Sequence, residues 1–294
     1  MITAADRRPG APGIPESGDV SVVIATRNRR ARLMEFLPRH AAPVIVVDNA
    51  SSDGTPDAVE AAFPQVTVVR LDENQGAAAR NVGVERARTA FVAFADDDSY
   101  WEPGSLARAA ALLRERERVG LLSARVLVGE SRREDPISAA MARAPLGVPP
   151  GAPGPSVLGF LACAVVVRRA AFRAVGGFNP TLHVYGEEDL LAMDLAAAGW
   201  LLSYVPTLTV RHLPSPAGRD DRARRRVESR NRVLTALLRR PPQVVARTAL
   251  DQWRRDPRGV LDAARLLPRT LGQRHPLPAG VERDLARLTA PPHR

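Results

Sequence analysis

The sequence predicts an α/β fold, with a mostly parallel sheet flanked by helices and a basic helical C-terminal extension. Over residues 20–95, short apolar runs rich in β-branched residues alternate with helical stretches, as in βαβ units. Beyond residue 211, Leu and Val recur at helical spacing among many arginines. A chain of 294 residues that is 45% hydrophobic can bury a sizeable core.

Three segments are expected along the chain. Residues 1–18 hold several Pro and Gly without periodicity and predict a disordered tail. Residues 19–215 hold the alternating strands and helices, and residues 216–294 form the basic helical extension. The single cysteine, Cys163, excludes an intrachain disulfide and is interpreted as a small buried hydrophobe. Without a signal-type apolar core or a run of about 18 apolar residues, we expect a cytoplasmic protein.

The net charge of +10 is unevenly distributed. Residues 211–294 hold 20 Arg and 8 acidic residues, whereas the other 210 residues hold 22 basic and 24 acidic residues. Such a segment favours a polyanionic partner, although a solvated Arg-rich helical surface is an equal alternative. Its one aromatic residue in the helical stretches, Trp253, argues against nucleic acid. We therefore expect an anionic membrane surface, at the inner membrane face, and no nucleic-acid partner.

The first half of the α/β segment is the more regular. Strands are predicted at residues 20–25, 44–47, 66–70 and from residue 91. Helices are predicted between them, at residues 31–40, 56–62 and 77–87.

The second half is less regular. The pattern predicts a helix at 104–118, a strand at 120–128 and a long loop at 132–155, of the kind that is functional or disordered. A short helix closed by a glycine pair follows within residues 168–179. Residues 185–191 open another helix, which runs to residue 198 with Gly199 as its stop. The remaining elements are strands at 202–205 and 208–210 and basic helices at 222–239, 243–254 and 259–271.

Polar side chains follow the predicted strands at the points where the strands end. In parallel sheets, ligands bind at the carboxyl ends of the strands, so we expect these side chains to surround a binding site. They are Thr26, Arg27, Asp48, Asn74, Asp96, Asp97 and Asp98.

The adjacent carboxylates of Asp96, Asp97 and Asp98 repel one another and favour a divalent cation, which prefers oxygen ligands. A solvated turn after the strand is the alternative, because Asp is common there. His212 follows a later strand and is either a further ligand or a structural residue.

Alternatives stay open at other positions too. Thr26 either caps a helix or contacts a ligand, and Arg80 either lies on the surface or contacts a diphosphate. Asp48 is favoured as a base or ribose contact, as in dinucleotide folds, although the Gly-x-Gly-x-x-Gly fingerprint is missing. The acidic run 187–189 either favours the helix dipole or presents a base to a cleft.

Together these motifs resemble those of the family 2 glycosyltransferases, which have the GT-A fold. Six motifs occur in the family's order over about residues 19–212. They are Val22-Val23-Ile24-Ala25-Thr26-Arg27-Asn28-Arg29; Val46-Val47-Asp48-Asn49-Ala50-Ser51-Ser52-Asp53-Gly54-Thr55; Asn74-Gln75-Gly76 with Ala79-Arg80-Asn81-Val82-Gly83; Phe94-Ala95-Asp96-Asp97-Asp98; Gly176-Gly177-Phe178; and the acidic segment before Gly199-Trp200.

The resemblance implies a role for each matching position. Thr26 and Asp48 would contact the nucleotide base, and Asp97 would approach the ribose. Asp98 would bind Mn²⁺ or Mg²⁺, with His212 as a further ligand. The full set expected to bind the nucleotide-sugar is Thr26, Arg27, Asp48, Asn74, Arg80, Asp96 and Asp97.

The resemblance places the catalytic base in the acidic run before Gly199. The family commonly has Glu-Asp, any residue, then Asp-Leu, whereas this chain has Glu187-Glu188-Asp189-Leu190-Leu191. Counting back from Gly199 puts Glu188 at the base position, and a shift of one residue puts Asp189 there. We expect Glu188 to be the base, with Asp189 as the second choice.

The implied function is an inverting, metal-dependent glycosyltransferase. It would move a sugar from a UDP-, GDP- or dTDP-sugar to a hydroxyl of a glycan or lipid-linked acceptor. By analogy the product would be a cell-envelope polysaccharide or glycolipid, with rhamnosyl transfer as one example. The alternatives are a catalytically degenerate nucleotide-sugar-binding module, a hydrolase with paired carboxylates and a basic nucleic-acid binder.

Overall fold

A computed structural model describes residues 18–214 and 221–289 of the chain. The predicted disordered tail falls, except for Gly18, outside these residues. The described strands form one nine-stranded sheet in the order β3-β2-β1-β4-β8-β6-β9-β5, with β7 paired to β6.

The first half of the sheet is parallel, as the sequence predicts. Strands β1 to β4 pair side by side in the same direction, and helices α1 to α3 connect them. Strands β1, β2 and β4 are apolar almost throughout because helices cover both faces of the sheet. The elements are β1 (Val20–Thr26), α1 (Arg30–Phe36), β2 (Val44–Asp48), α2 (Thr55–Ala62), β3 (Thr67–Arg70), α3 (Ala79–Arg86) and β4 (Phe91–Ala95).

The second half of the sheet is mixed. Strand β8 lies antiparallel between β4 and β6, β9 runs parallel to β6, and β5 pairs antiparallel to β9. The elements are β5 (Ser99–Trp101), α4 (Ser105–Glu115), β6 (Val119–Val128), β7 (Arg133–Glu134), α5 (Pro136–Ala142), β8 (Val165–Arg168), α6 (Arg169–Ala174), α7 (Glu187–Ala197) and β9 (Leu201–His212).

Two parts of this half differ from the prediction. The predicted loop at 132–155 contains β7 and α5, a seven-residue helix capped by the Asp135 side chain and begun by Pro136. The helix is too short to show periodicity. The two strands predicted after residue 201 are one strand, β9. Val205 pairs with Ala124 and Thr209 with Arg125, so the intervening residues bulge without ending the strand.

Apolar side chains pack on both faces of the sheet. Helices α1, α2 and α4 contribute to the cluster on one face, and α3, α5, α6 and α7 to the cluster on the other. The second cluster contains three mutually packed rings, those of Phe94, Phe172 and Phe178, with centroids 5.5–5.6 Å apart. Cys163 is buried in the first cluster, as expected for a small hydrophobe.

The C-terminal segment is helical, as predicted. It forms α8 (Asp221–Arg239), α9 (Pro242–Arg255), α10 (Pro257–Thr270) and a helix that the sequence pattern did not predict, α11 (Ala279–Thr289). Helices α8 and α10 pack against α7 through a third apolar cluster. Both Nε and Nη2 of Arg239 on α8 donate to the carboxylate of Asp194 on α7. Among the described helices, none combines the length and the apolar character needed to cross a bilayer.

Candidate functional site

The predicted strand-end residues meet at one edge of the sheet. Thr26 and Asp48 end β1 and β2, which are parallel neighbours, and the carboxylates of residues 96–98 follow β4 beside them. Strand β9 delivers His212 to the same place because β5 pairs with its last residues, with Ser99 opposite His212. The mixed half of the sheet therefore completes an edge that the parallel half begins.

Three side chains at this edge form a candidate cation site. One ligand atom from each of Asp96, Asp98 and His212 lies within 4.8 Å of the others. His212 Nε2 is 3.2 Å from Oδ1 of Asp98. Burial acts to raise the pKa of Asp98, but the hydrogen bond and charge of His212, with the charge of Arg29, outweigh it, so this pKa is lowered. Carboxylate oxygens with an imidazole suit a divalent cation such as Mn²⁺.

Arg29 joins this cluster, although it was not among the residues predicted for the site. Its Nε lies 3.2 Å from Oδ1 of Asp97 and its Nη2 lies 3.4 Å from Oδ2 of Asp98. The Thr26 hydroxyl donates to the other oxygen of Asp97, at 2.9 Å. Burial raises the pKa of Asp97 against these two interactions. Arg27, which was selected, is exposed.

Asp48 and Asn74 take different positions. Asp48 is buried, and its Oδ2 accepts from the backbone N–H of Ser51 at 3.0 Å. Asn74 is exposed, and its Oδ1 accepts from the N–H of Gly76 at 3.0 Å. The residue that fixes this loop is Asn49, whose side chain accepts from Gln75 N–H and donates to the Gly76 carbonyl. Asn49 belongs to the motif of residues 46–55, but it was not among the residues predicted for the site.

The loop after β3 packs directly against the segment that precedes α7. Ala77 N–H donates to the carbonyl of His183 at 2.6 Å. Gly76 has φ +60°, and a Cβ there would lie 2.3 Å from the same carbonyl oxygen. Only glycine fits this close approach without displacing the backbone.

Arg80 connects the strand-end edge to α7. Its Nη2 donates to Oδ1 of Asp96 at 2.7 Å. Burial alone would lower the pKa of Arg80, but the charges of Asp96, Glu187 and Glu188 raise it. The guanidinium thus contacts the carboxylate that follows β4 and is influenced by the charges of the first two residues of α7.

The acidic run that begins α7 passes from the interior to the surface: Glu187 is buried, Glu188 is half-buried and Asp189 is exposed. Burial, followed by the charge of Glu188, raises the pKa of Glu187 to about 8. Burial also raises the pKa of Glu188, which feels Arg80 and Asp96. Although Asp189 is exposed at the cleft surface, desolvation by the residues packed around it and the charge of Glu188 raise its pKa to about 6. Glu188 and Asp189 both line a cleft of about 530 Å³.

The segment before α7 is held by a side chain of the C-terminal extension. The Nδ2 of Asn231, on α8, lies 2.7–2.8 Å from three carbonyl oxygens, those of Leu182, Val184 and Tyr185. Two N–H groups serve three acceptors, so at least one is shared. The backbone of Tyr185 has φ +69°, which is unusual for a residue with a side chain and needs such external support.

A family model described as glycosyl transferase family 2 matches residues 21–176. A pre-mycofactocin glycosyltransferase of Mycobacterium tuberculosis is 32% identical over 220 residues, 72% of this chain and 46% of the relative. An N-acetylglucosaminyl-diphospho-decaprenol L-rhamnosyltransferase of the same species is 30% identical over 215 residues, 60% of this chain and 68% of the relative. The chain thus spans about half the length of the first relative.

Solved glycosyltransferase structures share the fold. The mannosyltransferase PcManGT from Pyrobaculum calidifontis, in complex with GDP-Man and Mn²⁺, has a TM-score of 0.57 at 20% identity, covering 96% of this chain and 82% of that one. S. aureus TarS 1-349 in complex with UDP has a TM-score of 0.53 at 23% identity, covering 80% and 72%. These likenesses confirm the expected GT-A architecture.

Proposed function

The chain belongs to glycosyl transferase family 2, and from that premise we propose that it transfers a sugar from a nucleotide-sugar to an acceptor hydroxyl with inversion. The relative that acts on a decaprenol-linked acceptor supports a role in cell-envelope polysaccharide or glycolipid synthesis. The candidate donors are UDP-, GDP- and dTDP-sugars.

One observation carries the proposal. Arg80 donates to Asp96 of the candidate cation site and lies in the field of Glu188 at the start of α7. A cation site for a diphosphate and a half-buried carboxylate for proton transfer are therefore neighbours, as a displacement at an anomeric carbon requires.

The residues present fit a divalent cation. Asp96, Asp98 and His212 offer oxygen and imidazole ligands within 4.8 Å of one another, and Asp98 has a lowered pKa, so it is ionised. We propose Mn²⁺ or Mg²⁺ as the cofactor. Such a cation, when bound, offsets the negative charge that develops on the diphosphate leaving group.

The donor nucleotide is assigned to the strand ends. Thr26, Asp48 and Asp97 line the carboxyl ends of adjacent strands and are proposed to contact the base and ribose. Arg27 and Asn74 are exposed and follow the first and third strands of this edge. Both are proposed to contact the nucleotide-sugar.

Glu188 is proposed as the general base. Its carboxylate takes the acceptor hydroxyl proton as the acceptor oxygen forms a bond to the anomeric carbon, while the bond from that carbon to the diphosphate breaks. The raised pKa of Glu188 makes it a stronger base than an exposed glutamate. Asp189 is the second candidate for the base, because the charges that act on its pKa are those of Glu188 and of Arg232 in the cleft, and not those of Arg80 and Asp96.

A thermal-shift panel tests the donor and the cation together. UDP-, GDP- and dTDP-sugars are added with and without Mn²⁺ to the wild type and to Asp98→Ala. A Mn²⁺-dependent rise in Tm for one nucleotide, lost in Asp98→Ala, is expected. The absence of a shift with every donor would contradict the donor assignment. A wild type that binds a donor yet transfers to no acceptor would favour the degenerate binding module.

The basic extension, taken as residues 216–294, is proposed to lie on an anionic membrane surface. On α9, Leu250 and Trp253 are 51% and 47% exposed, and Arg247 and Arg254 lie beside them at helical spacing. Exposed apolar side chains among arginines are typical of interfacial helices. Flotation with anionic liposomes is expected to recover the wild type at low salt and less of Trp253→Ser. Recovery that is independent of salt and of lipid charge would contradict the proposal.

A further inference from the structure

The cleft beside α7 is lined by separate parts of the chain. Glu188 and Asp189 lie at its α7 side, and one face of α8 forms the opposite wall. That face presents residues at helical spacings of three and four, namely Arg224, Glu228, Asn231, Arg232 and Thr235. The cleft therefore connects the proposed base with the C-terminal extension.

A second wall of the cleft is apolar. It is formed by Ile137 on α5, Phe160 and Leu161, with Tyr185 just before α7 and Met193 on α7. Ile137 and Tyr185 are 47% and 39% exposed, so this wall still presents apolar surface to solvent. Apolar surface next to a polar reactive group is typical of a ligand pocket.

The arginines of the cleft differ in their partners. Arg224 pairs with Glu228 at 2.7 Å and lies over the Tyr185 ring, and Arg240 pairs with Glu282 at 2.7 Å. Arg232 has no carboxylate within 4.0 Å among residues 18–214 and 221–289. Its charge acts on Asp189 across the cleft. Arg232 thus supplies a guanidinium that is not neutralised by a close ion pair in the described part of the chain.

We propose that the acceptor carries, besides its reactive hydroxyl, an apolar phosphate ester that binds in this cleft, with the phosphate on Arg232 and the apolar group on the wall of Ile137 and Phe160. This inference rests on the proposed function because it places the acceptor hydroxyl beside Glu188. A guanidinium binds phosphate with two parallel N–H···O bonds, which a neutral glycan cannot match. Glu188 and Asp189 lie on the α7 side, and the carboxylate of the α8 wall, Glu228, is paired with Arg224, so the anion is held at Arg232 on the α8 side.

Binding of small probes tests the proposal. Geranyl phosphate, phenyl phosphate, geraniol and inorganic phosphate are titrated calorimetrically in EDTA, which keeps metal-dependent phosphate binding out of the measurement. The full chain is compared as wild type, Arg232→Gln and Ile137→Ser. Two controls lie outside the cleft. Arg225→Gln changes another arginine of the same helix, and Val148→Ser changes another exposed β-branched apolar residue.

Wild type is expected to bind one of the two phosphate esters at least tenfold more tightly than geraniol or inorganic phosphate. Arg232→Gln is expected to lose about tenfold for the ester but nothing for geraniol, since one charge-assisted contact is removed. Ile137→Ser is expected to weaken ester and alcohol alike. A preference for geranyl over phenyl phosphate indicates a prenyl chain, and the reverse indicates an aromatic ester.

Equal ester affinity in Arg232→Gln and Arg225→Gln would overturn the proposal, as would an ester that binds no better than its alcohol. The donor assay separates this failure from that of the proposed function. A Mn²⁺-dependent donor shift without ester selectivity refutes the acceptor inference alone. Selective ester binding without any donor shift refutes the donor assignment alone.

Discussion

The guanidinium of Arg29 lies 3.4 Å from Oδ2 of Asp98, the carboxylate whose other oxygen contacts His212. Arg29 and the divalent cation proposed for this site would therefore compete for the negative charge of one side chain. The guanidinium balances part of the negative charge of Asp97 and Asp98, and binding of the proposed cation would weaken its contact with Asp98.

Removing this competitor is expected to tighten cation binding. We predict that Arg29→Gln binds Mn²⁺ about fivefold more tightly than the wild type, because a partly exposed ion pair is worth up to about 1 kcal/mol. Titration of free Mn²⁺ by electron paramagnetic resonance measures the affinity. Arg30→Gln, an exposed neighbour, is the control and should match the wild type. Unchanged or weaker binding by Arg29→Gln would show that no competition exists.

The two candidate bases can be separated by activity at constant donor binding. Glu188→Gln is predicted to lower kcat for sugar transfer by roughly 10²–10⁴-fold, the usual contribution of a general base. Asp189→Asn is predicted to have a smaller effect, because Asp189 feels Arg232 rather than Arg80. Donor-induced thermal shifts should be the same in both variants and the wild type. A larger loss in Asp189→Asn would move the base assignment by one residue.

Stability should fall as pH rises because of Glu187. Its pKa is raised from 4.5 to about 8, chiefly by burial. Between about pH 4.5 and about pH 8 the folded state therefore holds a proton that the unfolded chain has released, and the free energy of unfolding decreases with pH across this window. Glu187→Gln removes this ionisation. Its stability relative to the wild type is predicted to rise by on the order of 2–4 kcal/mol over the window.

Urea unfolding at a series of pH values measures this difference. Glu117→Gln, at an exposed site, is the control and should follow the wild type at every pH. Parallel pH profiles for Glu187→Gln and the wild type would mean that Glu187 is ionised in the folded state at neutral pH.

The contact between Gly76 and His183 makes a matched glycine comparison available. Gly76 and Gly176 both have positive φ, +60° and +83°, but only at Gly76 would a Cβ meet backbone, at 2.3 Å from the His183 oxygen. Gly176→Ala is predicted to cost about 1 kcal/mol from strain alone, and Gly76→Ala at least about 2 kcal/mol more. Urea unfolding of both variants gives the difference. Equal losses of unfolding free energy in the two variants would mean that the loop of Gly76 can move away from the backbone of His183 without cost.

The parallel half of the sheet was predictable because its signals are local. Each strand is a short β-branched run, and each polar cluster follows it directly in the sequence, as for Thr26 and Asp48. The same locality explains what was missed. Helix α5 has seven residues and rests on its cap, and β9 continues through Pro206 because β6 supplies pairing on both sides of the bulge.

The site was predicted less completely than the fold. Asp96, Asp98 and His212 do meet, yet the contact of Arg29 with Asp97 depends on a turn geometry that no spacing rule encodes. Burial decided the state of Glu187, and burial arises from packing between distant segments. The roles assigned to the strand-end residues and to Glu188 stay predictions.

The amide of Asn231 that supports the Leu182–Tyr185 backbone has a consequence for the order in which the protein is made. A nascent chain that has emerged as far as His212 contains every strand of the described sheet, but Asn231 has not yet emerged. Synthesis proceeds from the N-terminus and is slow relative to local folding. The strands are therefore available before the side chain that holds the Leu182–Tyr185 backbone. The segment that leads into the acidic run acquires its final backbone only once α8 has emerged, so truncation before α8 removes a part of the site without removing any residue that lines the strand ends.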